Sequence, residues 1–161
     1  LPTPRRVAEN SKPRKQPTLR ARAIGMLARR EFPRAELRDR LLATGAEREE
    51  VDALLDVLAA DGYLSDARYA NALVRQKSRG YSLRSIAHSL KSKGVASEAA
   101  TDALAGAEQD DQTTMVALWQ RRFGVAPAND REKARQVRFL QSRGFGLSAI
   151  FKLLRDPPVE P

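Results

Sequence analysis

The chain has 161 residues, 42% of them apolar, which is enough to bury a core within one ordinary domain or several small units. It has no cysteine, which excludes disulfides and thiolate metal sites and fits a reducing cytoplasm. It has neither an apolar run of the roughly 18–20 residues that span a membrane nor a signal-peptide segment in its opening LPTPRRVAENSKPRKQPT. The net charge of +9 divides as +4 over residues 1–16, −1 over 17–64, +4 over 65–106 and +2 over 107–161, a polarity that suits an extended negative partner, nucleic acid or an acidic protein groove, as well as plain solubility.

Residues 1–17 hold Pro2, Pro4, Pro13 and Pro17 among charged and small side chains, and read as a flexible basic arm. Helical periodicity then runs on, with no convincing strand alternation. Three glycines set its register: Gly45, Gly94 and Gly144. Leu41, Leu90 and Leu140 stand four residues before them, and apolar residues return six, nine and ten residues after. Each glycine therefore reads as a helix C′ residue with positive φ between two amphipathic helices. With one further helix upstream of each pair, the expectation is an all-α chain of three tandem three-helix repeats in an extended arrangement, at 18–64, 65–106 and 107–161.

In the first repeat, Ile24 and Leu27 mark the opening helix and Pro33 takes N1 of the second. Val51, Leu54 and Leu55 mark the third, which Gly62 ends. The second repeat opens with Asp66 as N-cap or first-turn acid of a helix over 66–79, whose stripe is Ala70, Leu73, Val74 and the stem of Lys77. Ser82 and Ser97 read as caps of the next two helices, the latter carrying Ala100, Ala103 and Leu104. In the third repeat Met115, Leu118, Trp119 and Phe123 precede a lengthened loop over 124–131. A helix over 131–143 follows with Ala134, Val137, Leu140 and Gln141 inward, then one with Ile150, Leu153 and Leu154, stopped at Asp156-Pro157.

No constellation for catalysis is legible, so no catalytic, cofactor-binding or metal-binding residue is expected, and the chain reads as no enzyme. His88 stands alone and reads as a surface or boundary residue. Glu49-Glu50 and Asp110-Asp111 sit at helix starts, where they favour the dipole, and Arg143-Gly144-Phe145-Gly146 lacks a P-loop lysine. The basic residues are more informative. At 100° per residue Arg68, Arg75 and Arg79 fall opposite the apolar stripe of their helix, and Arg131, Arg135 and Arg138 line up on another face of theirs. Lys91 and Lys93 add charge near the second glycine. Arginine forks suit carboxylates and phosphates, so these six arginines are the candidate partner-binding residues, expected on one basic concave face. Arg68 can also pair locally. Phe139 lies off its helix's core stripe and is expected to pack on the neighbouring repeat.

LARREFPRAELRDRLLATG, DGYLSDARYANALV, RGYSLRSIAHSLKSKGV and FLQSRGFGLSAI, in this order over residues 19–155, resemble the RecX family. The most specific pieces are Leu64-Ser65-Asp66-Ala67-Arg68-Tyr69-Ala70, Arg79-Gly80 and Arg143-Gly144-Phe145. Pro33 departs from the serine often found in the family. The resemblance implies tandem three-helix repeats, no cofactor, and a partner in the RecA–DNA filament, whose recombinase, ATPase and co-protease activities such proteins suppress, limiting DNA repair and SOS responses. Some members bind DNA; the chain is taken as a monomer with no membrane partner. The alternative is a sequence-independent DNA-binding protein of Myb-like three-helix repeats, binding single- or double-stranded DNA. The third helix of the first repeat, EREEVDALLDVLAADG, is acidic, and SEAATDALAGAEQDD in the second has no basic residue. Base readout from these helices is therefore not expected.

Overall fold

The structure is a computed structural model that describes residues 13–107 and 109–158. Among these are nine helices and no strand: α1 (Leu19–Arg29), α2 (Arg34–Leu42), α3 (Arg48–Ala60), α4 (Asp66–Lys77), α5 (Leu83–Ser92), α6 (Ser97–Ala105), α7 (Asp111–Arg122), α8 (Asp130–Ser142) and α9 (Leu147–Arg155). Most of the arm lies outside the described residues; residues 13–17 carry no helix. Gly45, Gly94 and Gly144 take φ of 91°, 70° and 92°, and Gly62 takes 82°, so the glycines close α2, α5, α8 and α3 as their positions require.

Caps account for most helix starts. Thr18, Ser65, Ser82, Asp110 and Asn129 each accept a main-chain N–H from the first turn of α1, α4, α5, α7 and α8. Two expected starts differ. Pro33 is the N-cap residue of α2 rather than N1, and Ala96 rather than Ser97 stands at the cap of α6; neither side chain can accept a bond there. Asp66 is the first residue of α4, since Ser65 does the capping.

Buried residues fall into three groups, each confined to one set of three helices. Ala23, Leu37, Leu41, Val51, Leu55 and Leu58 centre α1–α3. Ala70, Val74, Ile86, Leu90 and Ala103 centre α4–α6, and Met115, Trp119, Leu140, Ile150 and Leu153 centre α7–α9. The inward stripe of α8 is shifted from the expected one. Gln141 is exposed, and Gln136 is buried because it accepts from Trp119 Nε1 (2.9 Å) and donates to the Val125 carbonyl (3.1 Å). A tryptophan N–H inside a core needs an acceptor, which an apolar side chain could not supply. Phe139 packs within its own repeat, edge-on to Phe123 at 5.5 Å between centroids, not on the neighbouring repeat.

The cores do not merge, so polar contacts make the joints between units. Asp66 accepts from the main-chain N–H of Arg34 (2.8 Å) and of Ala96 (2.9 Å), tying the start of α2 to the second unit. Asp111 accepts from the N–H of Leu83 (3.0 Å), tying the start of α5 to the third. At this second joint the N–H of Ser82 donates to the Arg143 carbonyl (2.9 Å) and its hydroxyl to the Gly144 carbonyl (2.8 Å). Gln109 Nε2 donates to the Tyr81 carbonyl (2.7 Å).

Candidate partner-binding face

Six ion pairs join charged side chains among the described residues, and all lie between Arg20 and Arg68: Arg20–Asp61, Arg30–Glu36, Arg40–Glu36, Arg34–Asp56, Arg38–Asp52 and Arg68–Glu31. The first unit therefore neutralises most of its own arginines. Phe32 is buried beneath this network, with the Arg30 guanidinium 3.6 Å from its ring centroid. From Arg75 onward no Lys or Arg pairs with a carboxylate among the described residues. The net charge difference legible in the sequence thus becomes a difference in how the cations are used.

The six arginines singled out in the sequence separate. Arg68 Nε donates to Glu31 (2.8 Å) and its Nη2 to the carbonyls of Gly62 (2.7 Å) and Tyr63 (3.2 Å), so it fastens the first joint. Arg75, Arg79, Arg131, Arg135 and Arg138 are exposed.

Two arginines absent from that selection, Arg121 and Arg143, reach the turn after α4, and Arg122 lies behind them on Phe139. Arg121 Nη2 donates to the Arg79 carbonyl (2.9 Å), and Arg143 Nη1 to the Gly80 carbonyl (3.2 Å). Arg143 also lies 4.7 Å from the Tyr81 ring centroid and 5.2 Å from that of Phe139, and Arg122 lies 5.5 Å from Phe139. Main-chain carbonyls and ring faces hold these guanidinium groups in place, while their remaining N–H donors meet no acceptor among the described residues. The signal was present in sequence, in Arg121-Arg122 at the end of a helix and in the Arg143-Gly144 pair, but the tertiary meeting of α7, α8 and residues 79–81 is what joins them.

Beside this turn runs a groove in two connected parts of about 410 and 530 Å³. Arg75 and Asn71 border one and Arg79 and Arg121 the other, with Ser78 and Gln109 common to both. Asp110 stands at its rim, where hydrogen bonds from the Thr113 hydroxyl and main-chain N–H hold its carboxyl below the usual carboxylate range. It is an anion at neutral pH. His88 is exposed on the other side of the joint, near Gln141 and Phe145. Among the described residues no three His, Asp or Glu side chains converge to hold a metal ion, and no helix is long and apolar enough to cross a membrane. The arrangement can attract and orient anionic groups.

Comparison with known proteins agrees with this architecture. The family model for the second three-helix domain of RecX matches residues 65–104, and that for its third three-helix domain matches residues 108–154. The regulatory protein RecX of Leptothrix cholodnii is 41% identical over 142 residues, 88% of this chain and 90% of that protein. That of Ralstonia pickettii is 37% identical over 142 residues, 88% and 89% of the two chains. The crystal structure of RecX from Lactobacillus salivarius superposes with a TM-score of 0.68 at 19% identity, covering 86% of this chain and 93% of that one, which shows a shared fold. With two matching domain models and relatives of this identity along nearly their whole length, the chain belongs to the RecX family of regulatory proteins.

Proposed function

We propose that this chain is a non-enzymatic cytoplasmic regulator that binds the RecA–DNA filament and inhibits RecA's recombinase, ATPase and co-protease activities, limiting DNA repair and SOS responses. Family membership supports the regulatory role. The observation that carries the mode of binding is the contrast in ion pairing: most arginines of the first unit pair with carboxylates, whereas Arg75, Arg79, Arg131, Arg135 and Arg138 pair with none among the described residues. A partner's anions would complete them. Each exposed pair contributes only about 0–1 kcal/mol, so affinity comes from several acting together, and their common field speeds encounter.

The test mixes the chain with RecA, single-stranded DNA and ATP and follows ATP hydrolysis and filament length. Both should fall, and the double variants Arg75→Glu with Arg79→Glu, and Arg131→Glu with Arg135→Glu, should inhibit less while keeping wild-type helix content. Unchanged hydrolysis and filament length on adding the parent chain would refute the reading. Direct DNA binding is the second reading, favoured by the same unpaired cations. It would be indifferent to sequence and weaken steeply with salt, since α3 carries Glu49, Glu50, Asp52 and Asp56 and α6 has no basic residue to place on a base edge.

A further inference from the structure

We propose that the groove between α4, the end of α6 and the start of α7 binds an extended acidic segment of a partner protein, its main chain along the groove floor and its carboxylates on the arginines of the rim. The identity of the partner rests on the reading above; the site rests on its own geometry. Gly106, Ala107 and Ala117 line the groove with little or no side chain, which lets a polypeptide backbone approach. Asn71 and Thr114 bring donors to the lining, and they bring acceptors together with Ser78 and Thr113, whose own hydroxyls donate to the Arg75 carbonyl and to Asp110, which matches the alternating N–H and C=O groups of a strand. Arg75, Arg79 and Arg121 border the groove, with no carboxylate paired to any of the three among the described residues.

Two features favour a polypeptide over a nucleic-acid strand. A phosphodiester backbone offers acceptors only, so the acceptors of the groove would go unmet. The aromatic rings nearby do not form an open stacking platform, because Arg122 and Arg143 lie against Phe139, and Lys77 and Arg143 against Tyr81.

The experiment titrates the full-length ¹⁵N-labelled chain with decaglutamate, and separately with decathymidylate, at low salt. Decaglutamate should shift the amides of Ser78–Gly80, Gly106, Ala107 and Thr113–Ala117 ahead of all others. Ala117→Phe fills the groove without changing charge and should weaken decaglutamate at least tenfold, as should Arg79→Glu with Arg121→Glu. Shifts spread evenly over the basic residues of both units would overturn the proposal. So would wild-type binding by a folded Ala117→Phe variant, or decathymidylate shifting the same amides and displacing decaglutamate. The wild-type shift map is decisive even where the variant does not fold. A chain that inhibits RecA but shows no decaglutamate footprint keeps the regulator and loses the groove; one that binds decaglutamate there without affecting RecA does the reverse.

Discussion

Asp66 and Asp111 make the same contact one unit apart. Each is the first residue of its unit's opening helix, and each accepts the main-chain N–H that begins the middle helix of the preceding unit, from Arg34 at 2.8 Å and from Leu83 at 3.0 Å. The outer ends of the array break the rule. The corresponding residue of α1 is Leu19, which has no acceptor to offer a preceding unit. The start of α8 is closed from within: Asn129 accepts from the Glu132 N–H (2.9 Å), and Glu132 reaches back to the N–H of Ala128 (2.8 Å).

Removing this contact should loosen the joint rather than either core. Asp66→Ala leaves two main-chain N–H groups without their ionised acceptor, and hydrogen bonds to charged groups contribute about 1.5–3 kcal/mol each at most. A loss of about 2–3 kcal/mol in urea denaturation is expected. Asp66→Asn, which keeps one acceptor oxygen, should fall between variant and parent. Hydrogen exchange at the amides of Arg34 and Ala96 should rise first. Unaltered protection at both amides would mean that water replaces the carboxylate at little cost.

The three register glycines should differ in cost when changed to alanine, although all have positive φ. A Cβ at Gly45 meets nothing within 4 Å, so only the backbone penalty applies, about 1–2 kcal/mol. At Gly94 it would lie 2.8 Å from Ala35 Cβ, and at Gly144 2.6 Å from Ser85 Cβ as well as against the Ser82 hydroxyl. Thermal melting should rank Gly45→Ala as mildest and Gly144→Ala as most damaging. An equal loss at all three would show that the units slide apart without strain.

This ranking also shows what the sequence could and could not disclose. The glycine register, the helix boundaries within a residue or two, and the inward faces of α1, α3, α4, α7 and α9 follow from local periodicity and from positions where only positive φ fits. The role of Asp66 was partly hidden, because a first-turn acid and a joint-forming acid look alike until Arg34 and Ala96 are brought beside it. Gln136 reads as polar surface unless the indole N–H of Trp119 is known to point at it. The candidate face suffers most from this: stripes on single helices pick out Arg75 and Arg79, but Arg121 and Arg143 join them only through contacts between units. Arg68, on the same helical stripe, is drawn away by Glu31 and two carbonyls that no helical projection contains.

Gln136→Leu tests the third core. It keeps approximate volume but leaves the buried Trp119 Nε1–H without its acceptor, and orphaning a buried polar group costs about 1–3 kcal/mol. Trp119 is the only tryptophan, so its fluorescence reports this unit alone. The variant should melt earlier by fluorescence. Amides of the first unit, around Leu41 and Leu55, should exchange as in the parent. Faster exchange throughout the chain would show the three cores to be one cooperative unit.

Arg68 and the Arg75–Arg79 pair should give opposite phenotypes, although all three arginines stand on or just beyond one helix. The Arg68–Glu31 pair is half exposed, and such pairs contribute about 0–1 kcal/mol. The two carbonyls that Arg68 also holds, at Gly62 and Tyr63, lie in the loop that enters α4. Arg68→Ala should therefore cost about 1 kcal/mol in denaturation, and it should leave inhibition of RecA ATP hydrolysis unchanged at temperatures where the chain stays folded. Arg75→Glu with Arg79→Glu removes no ion pair among the described residues and leaves the Arg79 main-chain carbonyl available to Arg121. Its melting temperature should match the parent, and its inhibition should fall by tenfold or more. The reverse pattern, with Arg68→Ala folded but inactive and the double variant fully inhibitory, would place the working surface at the first joint instead of along α4.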